Sequence, residues 1–172
     1  MGKPPQSPYP PDLAEGATRV TDFGDLVDAE AENVDWANQR SPGFVARRVE
    51  LRRCRLTGSE LAEATLVDVT FVDCRLDLVG LRAAKLERVV FRQCRMGECE
   101  LTSASLKDVL FEQCELREAV FNSAKIQRVE LRGCDLTNLQ GVEALRGVRM
   151  PWDDLLQNAP LFATSLGIEI ID

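Results

Sequence analysis

VVFRQCRM, residues 89–96, has four near-copies in the chain: VELRRCRL at 49–56, VTFVDCRL at 69–76, VLFEQCEL at 109–116 and VELRGCDL at 129–136. The copies start 20 residues apart and fit one formula: Val, a free position, Leu or Phe, two free positions, Cys, a free position, Leu or Met. A period held this strictly marks a repeat architecture, in which each unit buries its core only against the next.

A shorter beat runs inside the longer one. Counting in fives from Leu51 to Leu136 meets eighteen residues, every one Leu, Phe, Ile or Met. Two places before each stands a smaller inward candidate. One face repeats Val (49, 69, 89, 109, 129), the next Cys (54, 74, 94, 114, 134), another Ala (64, 84, 104, 124), and the fourth varies from Ser59 to Leu139. Neither the 3.6 period of a helix nor the 2.0 period of a strand gives a beat of five. A chain that turns a corner every five residues does, and four sides close a square coil of 20 residues. Equal side chains in vertical register pack without voids. Coils rising by about 4.8 Å make a five-coil stack roughly 24 Å long.

This pattern resembles the pentapeptide-repeat family, whose relaxed consensus is a small residue, Asp or Asn, Leu or Phe, and two variable positions. The resemblance implies an all-β solenoid, a right-handed quadrilateral parallel β-helix of about five coils over 44–140. The chain departs from the consensus before the central residue, which is preceded by Asp or Asn only at Asp135. The departure touches outward positions and leaves the inward ones intact.

The flanks read differently. Residues 1–11 hold five prolines, and 1–20 is expected to be a disordered Pro-rich tail. Residues 21–43 form an acidic segment in which Val34 and Trp36 keep the five-beat, so it either adds a degenerate coil or caps the first one. A solenoid end exposes core and backbone and needs a cap. Residues 141–172 supply one with short helices: Pro151 starts the first, Pro160 ends it, and Gly167 ends a second. Trp152, Leu155, Leu156 and Phe162 give these helices more apolar surface than a plug needs. In gyrase-protecting members of the family such a C-terminal helix makes a dimer, so the resemblance implies a homodimer, with an intramolecular cap as the alternative.

Charge is uneven along the chain. The net charge is −7, yet residues 44–139 carry 16 basic and 15 acidic residues, so the acidity sits in the flanks. No apolar run is long enough to span a bilayer, and the N-terminus has no signal-like apolar stretch, so no membrane partner and a cytoplasmic location are expected.

The six cysteines all fall at inward small positions, where Cys acts as a small hydrophobe, and none has zinc-type spacing. The chain has no histidine and no phosphate-binding or nucleophile-elbow motif. No catalytic, metal or cofactor residue is assigned, and no enzyme activity is expected.

Function then rests on outward columns read every 20 residues. Asp68, Arg88, Asp108 and Arg128 alternate in sign and should pair vertically. Arg55, Arg75 and Arg95 stack into a basic column that turns acidic at Glu115 and Asp135. Val90 and Leu110 point outward in neighbouring coils and are candidates for a lateral contact. Nucleic acid is disfavoured by a pI of about 4.8 and by the lack of aromatic residues among the arginines. The expected role is a non-enzymatic macromolecule-binding or scaffold protein with another protein as partner. The alternative is protection or inhibition of DNA gyrase by DNA mimicry, which near-neutral coils oppose.

Overall fold

The computed structural model describes residues 16–171. Seven strands form one parallel sheet in chain order: β1 (Thr18–Arg19), β2 (Leu26–Glu32), β3 (Val45–Arg52), β4 (Thr65–Val72), β5 (Lys85–Arg92), β6 (Ser105–Glu112) and β7 (Lys125–Arg132). From β2 to β7 each strand pairs with the residue 20 positions on, so Ala29, Val49, Val69, Val89, Val109 and Val129 stand in one row. Isolated parallel bridges on the other sides, such as Arg55 to Arg75 and Glu60 to Gly80, keep the same offset. The result is a right-handed, four-sided parallel β-helix.

The corners explain the five-beat. At every fifth residue from 28 to 138 the backbone takes a positive φ, and twenty of these residues are not glycine. The left-handed region costs an L-residue roughly 1–2 kcal/mol. Each corner recovers this through pairing, as where the Arg53 amide donates to the Val72 carbonyl (2.9 Å) and the Asp73 amide to the Arg92 carbonyl (2.9 Å). The turn also aims two side chains per side into the core.

All eighteen beat residues except Ile126 are buried, as are all eighteen small partners. Phe71, Phe91 and Phe111 stack with centroids 4.9 and 5.0 Å apart and rings within 9° of parallel. The coil rise alone sets that spacing.

At the N-terminal end, residues 24–43 form a further coil in register with the regular ones. Its beat is hard to see because residue sizes are exchanged. Ala31 and Ser41 stand where the next coil carries Leu51 and Leu61, and just past its end Phe44 and Ala46 stand where the coil after carries Ala64 and Leu66. Phe44 stacks on Phe23 at 5.3 Å, and Phe23 meets Trp36 edge-on at 5.7 Å. The aromatic trio fills the volume the small residues leave. Most of the tail expected over 1–20 lies outside the described residues. Its last part is ordered, however: Thr18–Arg19 pairs with Ala29 and Glu30, and the Val20 amide donates to the Glu30 carbonyl.

At the other end the coil stops at Gly141. Its φ is +76°, and a Cβ there would lie 2.5 Å from the Asn122 nitrogen, so only glycine fits. A 3₁₀ turn (Val142–Leu145) follows, then α1 (Trp152–Gln157) and α2 (Ala159–Ser165). Pro151 precedes α1, and Pro160 lies in the first turn of α2. Among the described residues no helix is long and apolar enough to cross a membrane.

Candidate interaction faces

The alternating column runs further than the sequence pattern indicated. It begins at Asp28 and continues through Arg48, Asp68, Arg88, Asp108 and Arg128, all at positive-φ corners. Each arginine grips the aspartate one coil before it with two nitrogens: Arg48 on Asp28 (2.5 and 2.7 Å), Arg88 on Asp68 (2.6 and 3.0 Å) and Arg128 on Asp108 (2.5 and 2.6 Å). The fork matches the carboxylate because corner residues of successive coils share one orientation. The hydrogen bond from Arg48 lowers the Asp28 pKa below its ordinary value, and the aspartates in turn raise those of Arg88 and Arg128.

Arg55, Arg75 and Arg95 form one exposed column, continued by Glu115 and Asp135. It is less free than its sequence implies. Arg55 bonds Asp35 (3.1 Å), and Arg95 lies 3.6 Å from Glu115 and 3.9 Å from Asp77. Arg75 alone of the three has no ion pair among the described residues. The arginine-rich run 47–55 faces the acidic coil 24–43: Arg48 meets Asp28, Arg53 meets Glu32, and Arg55 meets Asp35. Composition showed both segments, but only the coil register shows that they neutralise each other.

Val90 requires a correction. It occupies an outward position but is only 5 % exposed. The whole column is recessed, since Glu50, Thr70 and Glu130 are also buried and Leu110 is half-buried. Thr70 and Leu110 stand in register one coil either side of Val90. In-register neighbours at strand spacing shield one another, so the Val90–Leu110 pair is no exposed patch. Glu50 and Glu130 tolerate the recess because Arg52 and Arg132 pair with them.

Among the described residues most of the exposed large apolar side chains lie at the C-terminal end. Neither α1 nor α2 has a buried residue. Trp152 is 68 % and Leu166 75 % exposed; Leu155 and Leu156 are exposed, and Phe162 is half-buried against the core. Sequence reading missed the continuation, Ile168, Ile170 and Ile171, all exposed. Its signal was present in the apolar pattern of GIEII, directly after the helix-ending Gly167.

Inside, all six cysteines are buried and free of disulfides. Burial pushes the Cys99 thiol up to about 12. Among the described residues no three or more His, Cys, Asp or Glu side chains converge as a metal site.

No curated protein matches the sequence significantly. Among solved structures, a trypsin-treated form of QnrB1, a plasmid-mediated fluoroquinolone resistance protein, aligns at 17% identity over 91% of this chain and 100% of its own, with a TM-score of 0.44. A pentapeptide repeat protein from the Arabidopsis thaliana thylakoid lumen aligns at 17% identity over 80% of this chain and 75% of its own, with a TM-score of 0.34. HetL from Nostoc, involved in heterocyst differentiation regulation, aligns at 15% identity over 82% and 94%, with a TM-score of 0.26. The model of the pentapeptide repeat region matches residues 46–121 and 81–140, more than half of the chain. With the inward beat and the square coil in place, the chain belongs to the pentapeptide-repeat family.

Proposed function

We propose that the protein is a non-enzymatic scaffold: a rigid β-helical rod that joins a second copy through its C-terminal helices and presents its flat faces to a protein partner. One observation carries the reading. Among the described residues the rod leaves only Val27 and Leu78 of its large apolar side chains exposed, whereas α1, α2 and the following segment leave seven, Trp152, Leu156, Leu166 and Ile170 among them. Apolar surface concentrated at one end of a molecule marks a contact with another macromolecule. A second copy fits because an isologous contact pairs the same apolar surface with itself.

Light scattering coupled to size exclusion tests this. The expected result is a dimer that Trp152→Glu with Leu156→Glu converts to a folded monomer. A wild-type monomer at tens of micromolar would overturn the dimer. DNA mimicry finds less support, because residues 44–139 carry 16 basic against 15 acidic residues and many of the carboxylates pair with arginines, as Asp68 does with Arg88 and Asp108 with Arg128. A gyrase supercoiling assay with and without a fluoroquinolone is expected to show no effect, and inhibition or rescue would reinstate that reading.

A further inference from the structure

One side of the last coil ends in an open sheet edge. In the coil before it, the amides of Leu116 and Glu118 donate to the carbonyls of Asp135 and Thr137 (2.8 and 2.9 Å), and the Asp135 amide donates back to the Cys114 carbonyl (3.0 Å). One coil on, the matching groups are the amides of Leu136 and Asn138 and the carbonyl of Cys134. Among the described residues nothing pairs with these three. The adjoining side is closed: the Leu131 amide donates to the Arg149 carbonyl (2.9 Å), and the Gly133 amide to the Asp154 carboxylate (2.6 Å). A cleft of about 610 Å³ separates the open edge from α2, lined by Leu136, Asn138 and Leu139 on one side and by Leu161, Thr164 and Ser165 on the other. A row of unpaired backbone groups beside a cleft accepts an extended segment.

The chain itself carries a segment that fits. Ile168, Glu169 and Ile170 repeat the order of Cys114, Glu115 and Leu116 and of Cys134, Asp135 and Leu136: apolar, acidic, apolar. In the coils the two apolar members point inward and the acidic one outward. Isoleucine favours extended backbone, yet Ile168 is 56 % and Ile170 63 % exposed, outside any strand. The Gly167 amide donates to the Thr164 carbonyl and the Ile168 amide to the Ala163 carbonyl (2.9 Å), which fixes the exit from α2 and leaves the segment unused by its own chain. We propose that, in the dimer inferred above, segment 168–171 of each copy adds as a strand to the open edge of the other. The Glu169 amide donates to the Cys134 carbonyl, the Glu169 carbonyl accepts from the Leu136 amide, and the Ile171 carbonyl accepts from the Asn138 amide. Ile168 and Ile170 then stand over Cys134 and Leu136, as the inward residues of one coil stand over those of the last. The exchange is reciprocal and closes at two copies.

The strand exchange rests on that dimer, and the experiment separates the two. Amide hydrogen exchange is followed by NMR on the full chain, as wild type and as the Trp152→Glu, Leu156→Glu monomer. The Leu136 and Asn138 amides are expected to be protected about tenfold more strongly in the dimer than in the monomer. Glu169→Pro removes the donating amide at an exposed position and should weaken the dimer about tenfold by light scattering, the effect of one hydrogen bond. Glu169→Gln keeps the amide and should dimerise as wild type does. A dimer whose Leu136 and Asn138 amides exchange freely, or one that Glu169→Pro leaves intact, would overturn the strand exchange while the dimer stands. Equal protection in the monomer would place each segment on its own chain's edge and overturn exchange between copies. A wild-type monomer would overturn both readings.

Discussion

The middle coils and the helical end are built from similar amounts of apolar sequence and use it in opposite ways. Between Val49 and Leu136 every inward position but Ile126 is buried, whereas α1 and α2 have no fully buried residue and only Leu161 and Phe162 lean on the core. The difference shows what repetition accomplishes. A coil of this kind is stable only because its neighbours repeat its shape, so the core is solved once and copied. The helices have no repeating neighbour to copy their shape, and Trp152, Leu156 and Leu166 remain available for a contact outside the chain.

The strongest way to break this comparison is to cut a side chain from each region. Phe91 is fully buried between Phe71 and Phe111, so Phe91→Ala should cost about 3–5 kcal/mol in urea unfolding. A loss below about 1 kcal/mol would mean that the aromatic stack is not a packed core. Trp152→Ala is the matching cut at the end. It should change the stability of the monomer by no more than about 0.5 kcal/mol while weakening self-association.

Much of this contrast could be read from the chain. A five-beat over eighteen positions specifies an inward register that no helix or ordinary sheet can satisfy, and the exposed Trp152 and Leu156 were visible as surplus. Three things were not fully legible. The coil at 24–43 showed only as one of two alternatives, through Val34 and Trp36, because pattern reading looks for size at fixed positions, and Ala31 and Ser41 stand where the next coil carries Leu51 and Leu61. The recess of Val90 was hidden for another reason. An outward direction is set by backbone period, but exposure depends on what stands one coil above and below, 20 residues away. The same distance conceals the pairing of Arg48, Arg53 and Arg55 with the acidic coil.

The Asp–Arg column sharpens the comparison within the rod itself. Asp108 is buried, with a side chain only 2% exposed, while Asp28 at the N-terminal end is 56% exposed; both are held by a two-nitrogen grip. The same pair therefore sits in two environments. Arg128→Ala strips a buried carboxylate of its fork and should cost about 2–3 kcal/mol. Arg48→Ala should cost much less, as removal of an exposed pair does. Equal costs in denaturant unfolding would show that burial does not govern the ladder.

Acid should produce the smallest and most localised effect, at the N-terminal end. Asp28 is held below its usual pKa by the Arg48 hydrogen bond, and Asp35 chiefly by the Ala37 amide and then by Arg55. A folded pKa below the unfolded one means that the unfolded chain binds more protons in that range. The stabilisation is therefore complete above about pH 5 and fades as pH falls through 4 and below. Both groups sit on the boundary between the acidic coil and β3, where three arginines meet three carboxylates. Glu87 in β5 is likewise held below its usual pKa, chiefly by Lys107, but the central strands also have the Phe and Val rows, which do not titrate and keep them paired. Hydrogen exchange should then show β2 losing protection between pH 6 and pH 3.5 while β5 keeps its own. High salt at neutral pH should have a weaker effect in the same place, since it screens exposed pairs without removing their hydrogen bonds. Protection lost evenly from β2 to β7 would mean that the rod opens as one unit, and that its acidic first coil is as firmly built as its middle.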